Sequence, residues 1–93
     1  VASAVMMAGI AIPAFAVTVP AGGGTWSYGT TGNGTSVYSN YHHPSVFHKA
    51  STINYWGERS CSQASARYWA RTSQRANPDW GAVDHSYWGK GGC

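Results

Sequence analysis

Histidine, cysteine and carboxylate side chains are the groups in this 93-residue chain best suited to metal or acid–base chemistry. They are few and scattered: His42, His43, His48 and His85, Cys61 and Cys93, and Glu58, Asp79 and Asp84. A structural zinc ion wants four convergent ligands. His42 and His43 are adjacent, and neighbours on an extended strand point to opposite faces, so the pair is poorly placed to share one ion. A glycosidase needs two positioned carboxylates, which three isolated acids do not promise. No nucleophile-elbow pattern is present, and a cysteine nucleophile would have to be Cys61 beside His85 or His48. These residues therefore predict no metal, no cofactor and no catalytic residue.

Recognition chemistry is better represented. The stretch "YSNYHHP", residues 38–44, reads as an extended strand ended by Pro44. Alternation puts Tyr38, Asn40 and His42 on one face, with Val37, Ser39, Tyr41 and His43 on the other. Trp26 and Tyr28 share a face of the preceding strand, "TWSYG", and Trp56 lies further on. Arg67, Arg71 and Arg75 are spaced by four, so they fall on one side of a helix or one face of a strand. Aromatic planes stack on sugars or apolar faces, amide and imidazole groups fix orientation, and arginines clamp phosphate. Trp26, Tyr28, Tyr38, Asn40, Tyr41, His42, His43, Arg67 and Arg71 are accordingly the candidate ligand-binding residues. Two plainer readings compete. Tyrosine and tryptophan in a small β domain are often core, and an arginine row is often a solvated face.

The elements that must position these residues read as strands. "VTVPAGGG", residues 17–24, is expected to be a flexible Gly-rich lead-in, because three glycines after a proline hold a regular element poorly. "TWSYG" follows, then the hairpin signal Asn33-Gly34, then a return strand over residues 35–43. Residues 48–56, "HKASTINYW", form a third candidate strand, with Ile53 and Tyr55 inward. "SQASARYWARTSQRA" carries both helix-favouring and strand-favouring residues, "ANPDWG" is a turn, and "AVDHSYWGK" is a last strand. The count is about six short strands in an all-β domain over residues 25–93.

Composition bounds the rest. Residues 1–16 carry no charge and end in Ala14-Phe15-Ala16, the pattern of a signal-peptide core and cleavage site. The expectation is export with cleavage after Ala16. A basic n-region is missing, so the natural start is expected upstream. A retained anchor is the alternative. The net charge of +3 is too weak to indicate nucleic acid but suits anionic surfaces. A core of this size needs reinforcement. Five Trp and six Tyr can supply area. Cys61 and Cys93 read as one disulfide in an exported chain, with pairing through Cys93 to another molecule as the rival.

In order along the chain, "GGTWSYG", "YSNYHH", the His48-Lys49-Ala50 segment, Trp69-Ala70 and an aromatic end at Trp88 resemble the lactococcin 972 family of secreted bacteriocins. The resemblance implies a sandwich of two three-stranded antiparallel sheets and no enzymatic activity. It implies inhibition of septal wall synthesis in related Gram-positive bacteria, with the wall precursor lipid II as partner. It further implies a dedicated immunity protein and an ABC transporter in the producer, and leaves a homodimer open. The cysteine pair and the extension past Trp88 depart from the family pattern. A cell-wall- or carbohydrate-binding module that kills nothing is the alternative reading. A pore former is disfavoured, since residues 17–93 hold no amphipathic helix or apolar span.

Overall fold

The computed structural model describes residues 15–31, 34–77 and 83–93, and every regular element among them is a strand. They are β1 (Phe15–Ala21), β2 (Gly24–Thr31), β3 (Ser36–His42), β4 (His48–Ile53), β5 (Arg59–Ala64), β6 (Trp69–Arg75) and β7 (His85–Lys90). All pairings are antiparallel. The strands form one sheet in the order β1-β2-β3-β6 and a second in the order β5-β4-β7. The architecture is the expected all-β sandwich, with four and three strands rather than three and three.

The extra strand is β1, where a flexible lead-in was expected. Val17, Val19 and Ala21 alternate along it and pack against the core, a period-2 signal that the neighbouring glycines obscure. Pro20 is tolerated because β1 is an edge strand. Ala21 pairs with Gly24, so the loop between them is two residues long. Gly22 and Gly23 both have positive φ, 57° and 89°, the backbone of a tight hairpin turn. Gly22 also admits the Trp88 ring, whose atoms would lie 2.5 Å from an added Cβ. Residues 1–14 of the expected signal peptide lie outside the described residues, as do Asn33 of the hairpin and most of "ANPDWG"; Phe15 and Ala16, on the near side of the expected cleavage point, begin β1.

The core between the sheets is small and aromatic. Trp26, Tyr28 and Tyr41 are buried with Ala50 and Ala70. Trp26 stacks on Tyr28 at 3.9 Å between ring centroids. Polar groups fill the remaining space, several of them hydrogen-bonded. Trp26 Nε1 donates to Ser39 Oγ at 2.9 Å, and Ser39 Oγ donates to the Tyr87 carbonyl at 2.7 Å across the sandwich. Tyr41 OH donates to the Ala21 carbonyl at 2.7 Å. Gln74 Nε2 donates to Thr52 Oγ1 at 2.9 Å.

The face assignment of β4 is the opposite of the expected one. His48, Ala50 and Thr52 are fully buried, Ile53 is only half-buried and Tyr55 is exposed. Asn54 is the buried residue beyond the strand: its Nδ2 donates to Glu58 Oε1 and the Arg75 carbonyl, and its Oδ1 accepts from the Glu58 amide. A polar residue with all these partners can displace an apolar one from the interior.

Cys61 and Cys93 form a disulfide within the chain. The tail after β7 therefore runs back over β4 to β5. Lys49 Nζ donates to the Gly92 carbonyl, and the Cys93 amide donates to Gln63 Oε1.

Candidate functional site

β3 is where the candidate residues separate. Its burial alternates, with Val37, Ser39 and Tyr41 inward and Tyr38, Asn40 and His42 partly exposed on the outer face. Trp26, Tyr28 and Tyr41 are 3%, 4% and 0% exposed. They belong to the core, and burial pushes the phenols of Tyr28 and Tyr41 above their ordinary range. The expected neighbourhood of Trp26 and Tyr28 with Tyr38, Asn40 and His42 is therefore not formed; the two sets occupy opposite faces. Trp56 is also elsewhere, beneath the Arg75 guanidinium.

His43 is 5% exposed and serves the loops. Its Nδ1 accepts from the amides of Ser45 and Val46, and its Nε2 lies 3.1 Å from the Gly22 carbonyl. That pattern fits the tautomer with hydrogen on Nε2, and it ties the β1–β2 turn to the β3–β4 loop.

The arginine row divides. Arg67 is not on β6 but in the preceding turn, with φ of 74°, so the four-residue spacing does not place it beside Arg71. Arg75 is engaged by Glu58 through two bonds of 2.8 Å. Hydrogen bonds from Arg75 and Asn54 lower the Glu58 carboxyl to about 2. Arg71 has no carboxylate partner among the described residues. It stands opposite Asn40 in the β3–β6 register and stacks over Trp69, 4.8 Å from the ring centroid. His42 faces Trp69 from β3 at 5.3 Å between rings.

One outer sheet face thus carries Tyr38, Asn40, His42, Trp69 and Arg71. Beside them opens a depression of about 400 Å³, bordered by Tyr38, Asn40 and Arg71 and by the hydroxyl-bearing residues Thr31, Ser36, Thr72 and Ser73. It offers a guanidinium for an anion, an amide and hydroxyls for orientation, and aromatic planes for an apolar or sugar surface. Trp69, Thr31, Ser36 and Ser73 are absent from the sequence-based candidates. Once β6 is read as a strand, alternation alone puts Trp69 and Ser73 on the face of Arg71.

Acid–base and metal chemistry find no comparable cluster among the described residues. Among the described residues no three His, Cys, Asp or Glu side chains gather as metal ligands. Cys61 is bonded to Cys93 and so offers no free thiol. Burial raises the Asp84 carboxyl, against bonds from the backbone amides of Tyr55 and Asn77 that lower it. This acid braces the β4–β5 loop, where Tyr55 N donates to Asp84 Oδ1 at 2.9 Å.

The chain is thus a disulfide-tied β-sandwich with polar and aromatic side chains on one open sheet face. The model of the bacteriocin family Lactococcin_972 matches residues 22–88, and the chain belongs to that family of bacteriocin-type antibacterial proteins. No curated protein and no solved structure matches it. The match begins at the β1–β2 turn and ends at Trp88, so β1 and the disulfide-bonded tail lie outside it.

Proposed function

We propose that this bacteriocin is secreted and inhibits septal wall synthesis in related Gram-positive bacteria by binding the wall precursor lipid II. In this reading it works without catalysis, and the producer protects itself with a dedicated immunity protein and an ABC transporter. The observation that carries the reading is the outer face of β3 and β6, where the Arg71 guanidinium, without a carboxylate partner among the described residues, lies beside Asn40, His42 and Tyr38. Arg71 would take the pyrophosphate, while Tyr38, Asn40 and the hydroxyls around the depression would take the sugar.

The test is binding of the oxidised protein to purified lipid II, with undecaprenyl phosphate and a neutral glycan as controls. Selective binding is expected. Arg71→Ala should weaken it by roughly 10- to 100-fold, the worth of a hydrogen bond to a charged group. His42→Ala should weaken it less. Growth inhibition without lipid II binding would discard this target, and binding to the neutral glycan alone would favour the wall-binding module.

A further inference from the structure

The two ends of the sandwich differ in charge. One end holds the β1–β2 turn, the β3–β4 loop (residues 43–47), the β5–β6 turn (residues 65–68) and the tail after β7. Its side-chain charges among the described residues are Lys49, Arg67, Arg71 and Lys90, with no carboxylate. Glu58 and Asp84 both lie at the opposite end, with Arg59 and Arg75.

The basic end also exposes apolar side chains at its loop tips. Phe47 is 44% exposed and Tyr68 is 69% exposed, with Val46 and Trp69 beside them in sequence and also exposed. Polar contacts link these tips. The fully buried His48 places Nδ1 2.8 Å from the Val46 carbonyl and Nε2 2.7 Å from the Tyr68 carbonyl, spanning the two loops. The Arg67 amide donates to the His43 carbonyl at 2.7 Å, and the Gly91 amide to the Phe47 carbonyl at 2.8 Å.

Arg67 gives a second, independent sign. It is the single non-glycine residue with positive φ among those described, and its side chain is exposed. Glycine would fit that backbone better. Strain retained at an exposed cation points to a use for the side chain.

We propose that this end is a docking surface for an anionic phospholipid bilayer, in which Val46, Phe47 and Tyr68 enter the headgroup boundary while Arg67 and Lys90 bind lipid phosphates. Exposed aromatic groups with a polar or basic rim are the chemistry that settles in that boundary. Charge complementarity selects this end over the other, where Tyr55 and Trp56 are equally exposed but sit beside Glu58 and Asp84. The inference stands apart from precursor capture, since it concerns loop tips and plain lipid rather than the sheet face.

The experiment is co-sedimentation of the oxidised protein with vesicles free of wall precursor, made of phosphatidylcholine with or without phosphatidylglycerol. Binding is expected only with phosphatidylglycerol, and should weaken as salt rises. Arg67→Gly should remain folded by circular dichroism yet bind about fivefold less, the effect of one cation at a charged surface. The pair Phe47→Ser and Tyr68→Ser should lower binding further, whereas Tyr55→Ser with Trp56→Ser should leave it unchanged. Absence of binding to phosphatidylglycerol vesicles would overturn the proposal. So would full binding by folded Arg67→Gly together with the Phe47/Tyr68 variant, or loss of binding in the Tyr55/Trp56 variant. None of these outcomes bears on lipid II binding measured in detergent micelles.

Discussion

Ser39 is a small side chain with a large structural role. It is fully buried, accepts from Trp26 and donates to the Tyr87 carbonyl, so one hydroxyl joins β2, β3 and β7. Ser39→Ala would leave the Trp26 N–H without its acceptor, and the expected cost is about 1–3 kcal/mol, read from urea unfolding. Glu58 makes a different prediction. Its folded-state carboxyl lies near 2, well below that of an unfolded glutamate, because Arg75 and Asn54 bind the ionised form. A lowered carboxyl adds stability above the unfolded value and loses it as pH falls through the folded one. Melting temperature should therefore drop between about pH 4.5 and pH 2, and Glu58→Gln should flatten that part of the curve. Both groups of the pair are substantially exposed, so the effect should also shrink in high salt. An unchanged curve in Glu58→Gln would show that other carboxyls govern the acid transition.

At the scale of elements, β2, β3 and β7 were readable because alternation and turn residues agreed. β3 is the clearest instance: the faces read from "VYSNYHH" are those of the fold, with Tyr41 inside and Asn40 outside. β1 was hidden because Gly22 and Gly23, which make its turn, resemble a flexible segment. β4 was assigned the wrong face because Asn54 and Thr52 are buried through hydrogen bonds to Glu58 in the following loop and to Arg75 and Gln74, partners distant in sequence. The boundary between β5 and β6 depends on Arg67 adopting positive φ, which its residue type does not announce. The tail is a separate addition. The Cys61–Cys93 bond spans 32 residues of chain, and its removal by Cys61→Ser with Cys93→Ser should cost roughly 3–4 kcal/mol in the chain-entropy account. Calorimetry of the double variant checks this. Because the depression lies on the other sheet, its ligand should bind the folded double variant as it binds the parent protein.

For the molecule as a whole, the sandwich divides its work by face. The inner faces take Trp26, Tyr28 and Tyr41, which composition alone could equally assign to a ligand. The outer face of the four-stranded sheet takes Tyr38, Asn40, His42 and Arg71. About half of the candidate site was thus legible from residue type. The division between core and surface was legible only where strand phase was known, and Trp69 was missed because β6 could also be read as helix. The central claim is that this outer face meets the wall precursor. The most direct measurement is the nuclear magnetic resonance titration of isotope-labelled, oxidised protein with lipid II. The account predicts shifts concentrated at Tyr38, Asn40, His42, Trp69 and Arg71, with the backbone signals of β5 and the disulfide-bonded tail unmoved. Shifts confined to the three-stranded sheet, or no shifts at saturating lipid II, would contradict it.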